Sequence, residues 1–297
     1  MYNISGNEPV VTRIIYNGKL TGSDEVQFGT GNRAFRYGDG VFETIRMIGG
    51  EACFPQRHLE RLMAGVQQLK LRLPAGFISL SLAEWVRKLA QANNAVSGRV
   101  RLSVFRTDGG NYQPASNDVA WLLEYEPLEQ EAYSFNEKGL SIDLYQDLRK
   151  PINKLSNIKS SNAVLYVLAA IHARDQQLDD CILLNHHGNI IEATASNLFA
   201  VKNGVLYTCP LTEGCVAGVM RAEVMSLAQA NRIAVYEVPL PMSVLLNSDE
   251  VFLTNAVRGI QWVAAYRQKR YTNETSKRLF TLLNAEISVK CKVKGVK

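Results

Sequence analysis

Cysteines are few in this sequence and long apolar runs are absent, and each shortage excludes a class of protein. The 297 residues include five cysteines, at Cys53, Cys181, Cys209, Cys215 and Cys291. They form no close pair and no metal-ligand spacing, which favours a reducing compartment and no metal site. The most apolar helix candidate, residues 163–173, is far shorter than the roughly 20 residues that a bilayer requires.

The N-terminus and the charge distribution lack recognisable signals as well. Residues 1–8 have no basic start followed by an apolar core, so we expect no signal peptide. The net charge is only +5, partly from the terminal run Lys290, Lys292, Lys294 and Lys297, and no basic stripe alternates with aromatic residues. We therefore expect a soluble cytoplasmic protein with neither a nucleic acid nor a membrane as its partner.

Length and periodicity indicate two domains, because 297 residues exceed one comfortable hydrophobic core. In the first part, residues 42–47 alternate as a half-buried strand does, and the apolar spacing after Pro55 predicts a helix that carries His58 and Arg61 one turn apart. Ser81 followed by Glu84 is a capping-box pattern that predicts a second helix from Ser81 to about Asn93. The polar, proline-containing segment 126–131 favours a boundary. We expect an N-terminal α/β domain over residues 1–127, a linker at about 128–133, and a C-terminal domain over 134–297.

The second part predicts short strands in quick succession, separated by turns. They cover residues 181–184, 190–193, 198–201 and 205–208, the last two joined by Asn203-Gly204, a pair typical of antiparallel hairpins. A helix over residues 220–230 follows Gly218-Val219 and leaves backbone N–H groups free at its start. The predicted class is α+β, with a smaller N-terminal α/β domain and a larger C-terminal domain rich in antiparallel strands.

One lysine and one glutamate in this second part form a candidate chemical pair. Lys159 stands before an apolar helix, where partial desolvation would leave more of its amine uncharged and able to attack a carbonyl. Glu192 stands in an apolar strand, where a buried carboxylate can hold a protonated ring nitrogen. The alternatives are a solvated surface lysine and a structural salt bridge.

A phosphate cradle has candidates too. Arg61 offers a bidentate fork to phosphate oxygens, and the helix start at Val219-Met220 offers N–H groups and the positive end of a helix dipole. The alternatives are a surface arginine and an ordinary glycine-led turn. Neither signal is specific alone.

Several motifs in order make the chain resemble a known family. They are residues 35–46, 58–62, 158–162, 192–199 and 217–221. Their order resembles that of the fold type IV pyridoxal-phosphate enzymes, which include branched-chain aminotransferases, D-amino acid aminotransferases and aminodeoxychorismate lyases. The resemblance covers about residues 14–270.

The resemblance implies pyridoxal 5'-phosphate as the cofactor, bound between the two domains, and a homodimer as the working unit. It implies that Lys159 is the catalytic residue, joined covalently to the cofactor, and that Glu192 holds the pyridine nitrogen. The cofactor-binding positions that it implies are Arg61, Lys159, Glu192, Ser196, Asn197, Gly218, Val219, Met220, Asn255 and Ala256. Substrate candidates are Phe42, Arg36, Arg106 and Arg258.

The resemblance leaves two reactions open. The first is transfer of an amino group between an amino acid, with branched-chain amino acids as candidates, and a 2-oxo acid. The second is aminodeoxychorismate lyase activity, which releases pyruvate and 4-aminobenzoate. Branched-chain aminotransferases usually have a tyrosine where this chain has Ala163 and Val164, whereas lyases commonly share features such as Met220 and Gly109-Gly110. We expect transamination as the broader class, with the lyase as the alternative.

Overall fold

The structure is a computed structural model that describes residues 12–78 and 80–290. Residues 1–8, Cys291 and the lysines Lys292, Lys294 and Lys297 lie outside the described residues. In the part of the chain that is described, no helix has both the length and the apolar character needed to cross a membrane.

The first half of the chain builds a six-stranded antiparallel sheet in the order β2-β1-β6-β5-β3-β4. Its strands are β1 (Arg13–Tyr16), β2 (Lys19–Gly22), β3 (Gly40–Ile48), β4 (Glu51–Ala52), β5 (Ser97–Arg106) and β6 (Val119–Pro127). The central strand β5 pairs along its whole length with β3 and β6, so it holds the sheet together.

Helices pack on both faces of this sheet. Helix α1 (Arg33–Tyr37) lies on one face, where Ala34 packs against Phe105 and Leu122. Helices α2 (Pro55–Gln68), α3 (Ala75–Ile78) and α4 (Leu82–Ala92) cover the other face. The apolar sides of α2 and α4 pack on alternate residues of β3 and β5, such as Ile45 and Val100. The predicted start of α4 is confirmed, since Ser81 and Glu84 form a complete capping box.

The second half builds a mixed sheet of nine strands that curls back on itself. Its strands are β7 (Leu140–Leu144), β8 (Asp180–Leu184), β9 (Ile190–Ala193), β10 (Asn197–Lys202), β11 (Val205–Thr208), β12 (Val235–Glu237), β13 (Glu250–Asn255), β14 (Gly259–Tyr266) and β15 (Lys269–Arg270). Eight of them follow the order β12-β11-β10-β13-β14-β7-β8-β9, and β15 pairs with β14 beside this path. Strand β9 also pairs with β10 through Glu192 and Asn197. This pairing closes a ring of strands beside Glu192.

Helices pack against the second sheet. They are α5 (Val164–Asp175), α6 (Val219–Ala230), α7 (Val244–Asn247) and α8 (Glu274–Lys290), with a short 3-10 helix at Leu211–Glu213. A core of aromatic and aliphatic side chains, including Phe199, Phe252 and Val224, joins α6 and α8 to β10 and β13. The predicted class is confirmed, because helices and largely antiparallel sheets make up both halves. The proposed boundary at residues 128–133 stays a prediction.

Candidate active site

Lys159 lies where the two halves of the chain meet. Its segment runs along the edge of β3: the Phe42 amide donates to the Lys159 carbonyl at 2.9 Å, and the Ser161 amide donates to the Gly40 carbonyl at 2.9 Å. Helix α5 begins only at Val164, so Lys159 is held by strand pairing and does not lie in the first turn of that helix. A segment of the second half thereby extends the first sheet.

Lys159 is half-buried and the pKa of its amine is low. Its Nζ lies 4.5 Å from the centroid of the Phe42 ring. Burial lowers the pKa of Lys159 to about 8; the positive charges of Arg61 and Arg101 act in the same direction, against the charges of Glu43 and Glu192. Much more of this amine is therefore uncharged near neutral pH than in an ordinary lysine, which suits a nucleophile.

Arg61 is held by the buried carboxylate of Glu43, which was not among the predicted site residues. Arg61 donates from Nε to Glu43 Oε1 at 2.8 Å and from Nη2 to Glu43 Oε2 at 2.5 Å, and His58 Nδ1 lies 2.6 Å from Glu43 Oε2. Burial raises the pKa of Glu43, but the charge of Arg61 and the hydrogen bonds from Arg61 and His58 outweigh it and leave that pKa lowered. Burial lowers the pKa of His58, so the imidazole is neutral and Nδ1 donates.

The hydrogen bonds from Arg61 to Glu43 direct the Arg61 guanidinium toward the start of α6. Arg61 Nη1 donates to the Ala217 carbonyl at 3.2 Å, one residue before the N-cap Gly218. Glu43 occupies the Nε side of the guanidinium, which leaves N–H bonds of Nη1 and Nη2 for a ligand. Within the described residues, the backbone N–H groups of Val219 and Met220 make no hydrogen bond. The two predicted phosphate-binding elements therefore lie side by side.

Gly218 packs closely against Asn197 of β10. A Cβ built on Gly218 would overlap Asn197 Oδ1, and Asn197 Nδ2 donates to the Val216 carbonyl at 2.9 Å. Thr254 lies directly opposite Asn197 in the β10–β13 pair and so shares its face. The buried Thr254 Oγ1 has no hydrogen-bond partner among the described residues. Buried hydroxyl groups normally form a hydrogen bond, so the unpaired Thr254 hydroxyl near the start of α6 suits the binding of a polar ligand there.

Glu192 faces the same segment from the other side. Its Oε1 accepts hydrogen bonds from Lys150 Nζ at 2.6 Å and Tyr166 Oη at 2.8 Å, and its Oε2 accepts one from the Val216 amide at 2.8 Å. A carboxylate has about four acceptor positions, so one position on Oε2 is left open. That position can accept a hydrogen bond from a protonated ring nitrogen.

The other predicted cofactor positions form the rim of this region. Asn255 Nδ2 donates to Ser196 Oγ at 3.0 Å, and Asn255 Oδ1 accepts from the amides of Val257 and Arg258. The carbonyl of Ala256 accepts from the Tyr133 hydroxyl at 2.6 Å. These bonds fix the turn after β13 close to Asn197 and the start of α6.

The predicted substrate arginines do not join Lys159. Arg36 is exposed and donates to the Thr30 carbonyl, and the side chain of Arg258 is exposed. Arg106 is buried and donates to Asp39, Asn117 and the Leu69 carbonyl. Of the four substrate candidates, only Phe42 lies against the Lys159 amine.

Sequence reasoning missed Glu43, Lys150, Thr254 and Arg101. Arg101 lies with its Cζ 3.8 Å from the centroid of the Phe42 ring, and its charge acts on Lys159. For Glu43 a signal existed: a glutamate in an apolar strand, followed by His58 and Arg61 one turn apart on the next helix. For Lys150 none existed, since it stands in a polar stretch before Pro151.

Comparisons with known proteins agree with this geometry. The sequence profile of the family described as Amino-transferase class IV matches residues 40–266. A Methanocaldococcus jannaschii protein provisionally named a branched-chain-amino-acid aminotransferase is 30% identical over 84% of this chain and 85% of its own. The aminodeoxychorismate lyase of Vibrio harveyi is 27% identical over 81% of this chain and 88% of its own.

A solved structure shares the fold at lower identity. The branched-chain aminotransferase of Thermoproteus uzoniensis, solved with norvaline, superimposes with a TM-score of 0.85 at 20% identity, over 96% of this chain and 97% of that one. Both halves of the present chain are included in these matches. The chain therefore belongs to the class IV aminotransferase family, whose members are pyridoxal-phosphate-dependent enzymes.

Proposed function

We propose that this protein binds pyridoxal 5'-phosphate and transfers an amino group between an amino acid and a 2-oxo acid. The observation that carries the proposal is the convergence of three groups on residues 216–218. Glu192 contacts the Val216 amide, Arg61 contacts the Ala217 carbonyl, and Gly218 caps α6. One short segment thus holds three groups that suit this cofactor. The carboxylate suits its ring nitrogen, and the guanidinium and the helix start suit its phosphate.

When bound, the cofactor supplies an aldehyde that combines with amines and a ring that accepts an electron pair. Lys159 would hold the cofactor's aldehyde carbon through its amine, and the same nitrogen would serve as the base for the proton next to the substrate nitrogen. Glu192 would hold the proton on the ring nitrogen. Arg61 and the amides of Val219 and Met220 would bind the phosphate.

Arg101 is the arginine that supports substrate binding best. Its guanidinium lies over Phe42, and Phe42 lies against the Lys159 amine, so a carboxylate bound by Arg101 would approach the reactive nitrogen. The arginine candidates Arg36, Arg106 and Arg258 are either exposed or occupied by protein partners. Both an amino acid and a 2-oxo acid carry the carboxylate that such a group binds.

The lyase stays a second candidate because of two observations. Met220 stands at the second residue of α6, where the resemblance leads us to expect threonine in a transaminase. The Tyr166 hydroxyl donates a hydrogen bond to Glu192. Burial and the Glu192 charge raise the pKa of Tyr166, so this hydroxyl stays protonated and directed at Glu192. Tyr166 therefore does not take the role of the tyrosine that branched-chain aminotransferases usually have shortly after the lysine, which is a hydrogen bond to the ring oxygen of the cofactor.

A paired assay separates the two reactions. Protein loaded with pyridoxal 5'-phosphate is incubated with L-leucine and 2-oxoglutarate, and separately with aminodeoxychorismate. Formation of glutamate supports transamination, and formation of pyruvate supports the lyase. If neither glutamate nor pyruvate forms, both reactions are contradicted. Borohydride treatment followed by peptide mass mapping should place the cofactor on Lys159; a label on Lys150 would contradict the assignment.

A homodimer is the assembly that the surface supports. Helix α5 exposes Val164, Val167, Leu168 and Ile171, which share one face at helical spacing. The segment just before α5 contacts the residue that follows α1, since Asn162 Nδ2 donates to the Gly38 carbonyl at 3.1 Å. An exposed apolar helix face suits a second copy of this chain.

Light scattering tests the dimer. Val167→Glu should give a monomer, because it places a charge in the middle of the apolar face. Val289→Glu, the same change at an exposed position near the end of α8, should leave the assembly intact. A monomeric unmodified protein, or a dimeric Val167→Glu variant, would contradict the proposed interface.

A further inference from the structure

A buried lysine, Lys150, contacts Glu192 on the side away from its open acceptor position. Lys150 is only 8% exposed, and its Nζ donates to Glu192 Oε1 at 2.6 Å and to the Ser156 carbonyl at 2.9 Å. Its backbone is fixed as well, because the Lys150 amide donates to the Leu184 carbonyl at 3.0 Å. The ammonium group is therefore directed at Glu192 by a rigid support.

Lys150 is the cation that balances Glu192. Three donors reach this carboxylate among the described residues, and of these Tyr166 and the Val216 amide carry no charge. A buried carboxylate without a cation tends to bind a proton, because burial disfavours its charged form. A protonated Glu192 would donate a hydrogen bond where the proposed function requires it to accept one.

We propose that Lys150 is a positioning residue that keeps Glu192 ionised and leaves its one open acceptor position, on Oε2, for the ring nitrogen of the cofactor. Lys150 and Tyr166 together fill Oε1, and the Val216 amide takes one position on Oε2. The inference deepens the proposed function and rests on it for the identity of the ligand. The charge coupling between Lys150 and Glu192 can be measured without any ligand.

Infrared spectroscopy of the cofactor-free protein at neutral pH tests the charge coupling. Lys150→Met should produce the carbonyl band of a protonated carboxyl group, and Lys150→Met/Glu192→Gln should lack that band. Lys202→Met is the matched control, because Lys202 donates to Asp249 at 2.8 Å but both side chains are exposed. The control and the unmodified protein should show no such band. Absence of the band in Lys150→Met would overturn the proposal.

Binding of pyridoxal 5'-phosphate gives the second readout. Lys150→Met should weaken affinity by about tenfold or more, a usual scale for residues that support a ligating group. The pH dependence of the bound cofactor's absorption should shift in Lys150→Met as it does in Glu192→Gln, but not in Lys202→Met. Unchanged affinity and pH profile would overturn the proposed role. If even the unmodified protein binds no cofactor, the proposed function fails, while the infrared result still tests the pair.

Poor folding of Lys150→Met would itself be informative. The double variant Lys150→Met/Glu192→Gln leaves neither charge unpaired, so it should unfold at a higher urea concentration than Lys150→Met. A double variant no more stable than the single one would show that Lys150 does not neutralise Glu192, and would overturn the proposal.

Discussion

Each half of the molecule places one buried glutamate at the candidate site, Glu43 from the first half and Glu192 from the second, and the two have opposite roles. Glu43 in the first sheet is 1% exposed and holds Arg61, whose remaining N–H groups face the start of α6. Glu192 in the second sheet is 3% exposed and is held by Lys150. In the first pair the cation, Arg61, is directed at the proposed ligand site. In the second pair the anion, Glu192, is directed at it.

The difference shows what a buried ion pair can do besides stabilise a fold. Replacing such a pair by apolar residues is often neutral or stabilising, so stability alone is a weak reason to have one. Both pairs here present one member to residues 216–218 and use the other to fix its direction. We therefore expect the Glu43 pair to control phosphate binding and the Glu192 pair to control the chemical step.

The largest effect is expected from Glu192→Gln. A neutral amide no longer favours the ring-nitrogen proton, so kcat for the reaction identified in the paired assay should fall by about a hundredfold or more, a scale typical of losing one electrostatic stabiliser. The cofactor should still bind at saturating concentration, because Lys159 and the phosphate site are intact, although its affinity should fall as it does in Lys150→Met. Parallel measurement of kcat and cofactor content checks this.

The control for Glu192→Gln is Glu213→Gln. Glu213 accepts hydrogen bonds from Asn185 and Asn189, and among the described residues its side chain forms no hydrogen bond or ion pair with Lys159, Glu192 or Arg61. It should keep nearly full activity. Equal turnover in the two variants would remove the proposed difference between the glutamates.

The next largest effect is expected on stability, from Glu43→Gln. The change leaves the Arg61 charge buried without its counter-ion, so the free energy of unfolding of the cofactor-free protein should fall by about 3 kcal/mol. Glu51→Gln is the matched control, since Glu51 binds Arg87 through two similar hydrogen bonds at the surface. It should cost at most about 1 kcal/mol. Equal losses in urea denaturation would show that burial does not distinguish the two pairs.

Much of the local structure could be predicted from the sequence, because the signals lie a few residues apart. The capping box of Ser81 and Glu84 and the Asn203-Gly204 turn depend only on neighbouring residues, and both are confirmed. The helix carrying His58 and Arg61 is confirmed for the same reason. Periodicity sufficed for these elements, since each was set by one short segment.

The ion pairs could not be predicted in this way. Glu43 and Arg61 are 18 residues apart, and Lys150 and Glu192 are 42 apart. Their pairing depends on how helix α2 packs on β3 and on which strand lies beside the loop before Lys159. Sequence periodicity does not contain this information, and the resemblance named only one member of each pair.

The lowered pKa of Lys159 should make the free energy of unfolding depend on pH. The unfolded chain keeps the Lys159 proton up to about pH 10.5, whereas the folded chain loses it at a pKa of about 8. The unfolded state thus binds more protons in this window, and stability rises with pH there. At about 1.4 kcal/mol per pH unit, the gain is at most about 3 kcal/mol.

Lys159→Met measures this contribution by difference. The variant should exceed the cofactor-free parent in unfolding free energy below pH 8, and the excess should shrink between pH 8 and 10.5. Lys277→Met, at an exposed position on α8, is the control and should show no such window. A pH-independent difference for Lys159→Met would mean that its amine keeps an ordinary proton affinity and is not preset for attack on an aldehyde.

The smallest effect is expected from Gly218→Ala, which tests the segment that both ion pairs share. The added Cβ would overlap Asn197 Oδ1 and displace the Asn197–Val216 hydrogen bond, so residues 216–218 must move. Overpacking of this kind costs about 2 kcal/mol in unfolding free energy, and affinity for pyridoxal 5'-phosphate should fall with it. Gly76→Ala is the control, because a Cβ there meets nothing within 4 Å. If Gly218→Ala matched Gly76→Ala in both measurements, the position of residues 216–218 would not matter to the site, and the two glutamates would act independently of each other.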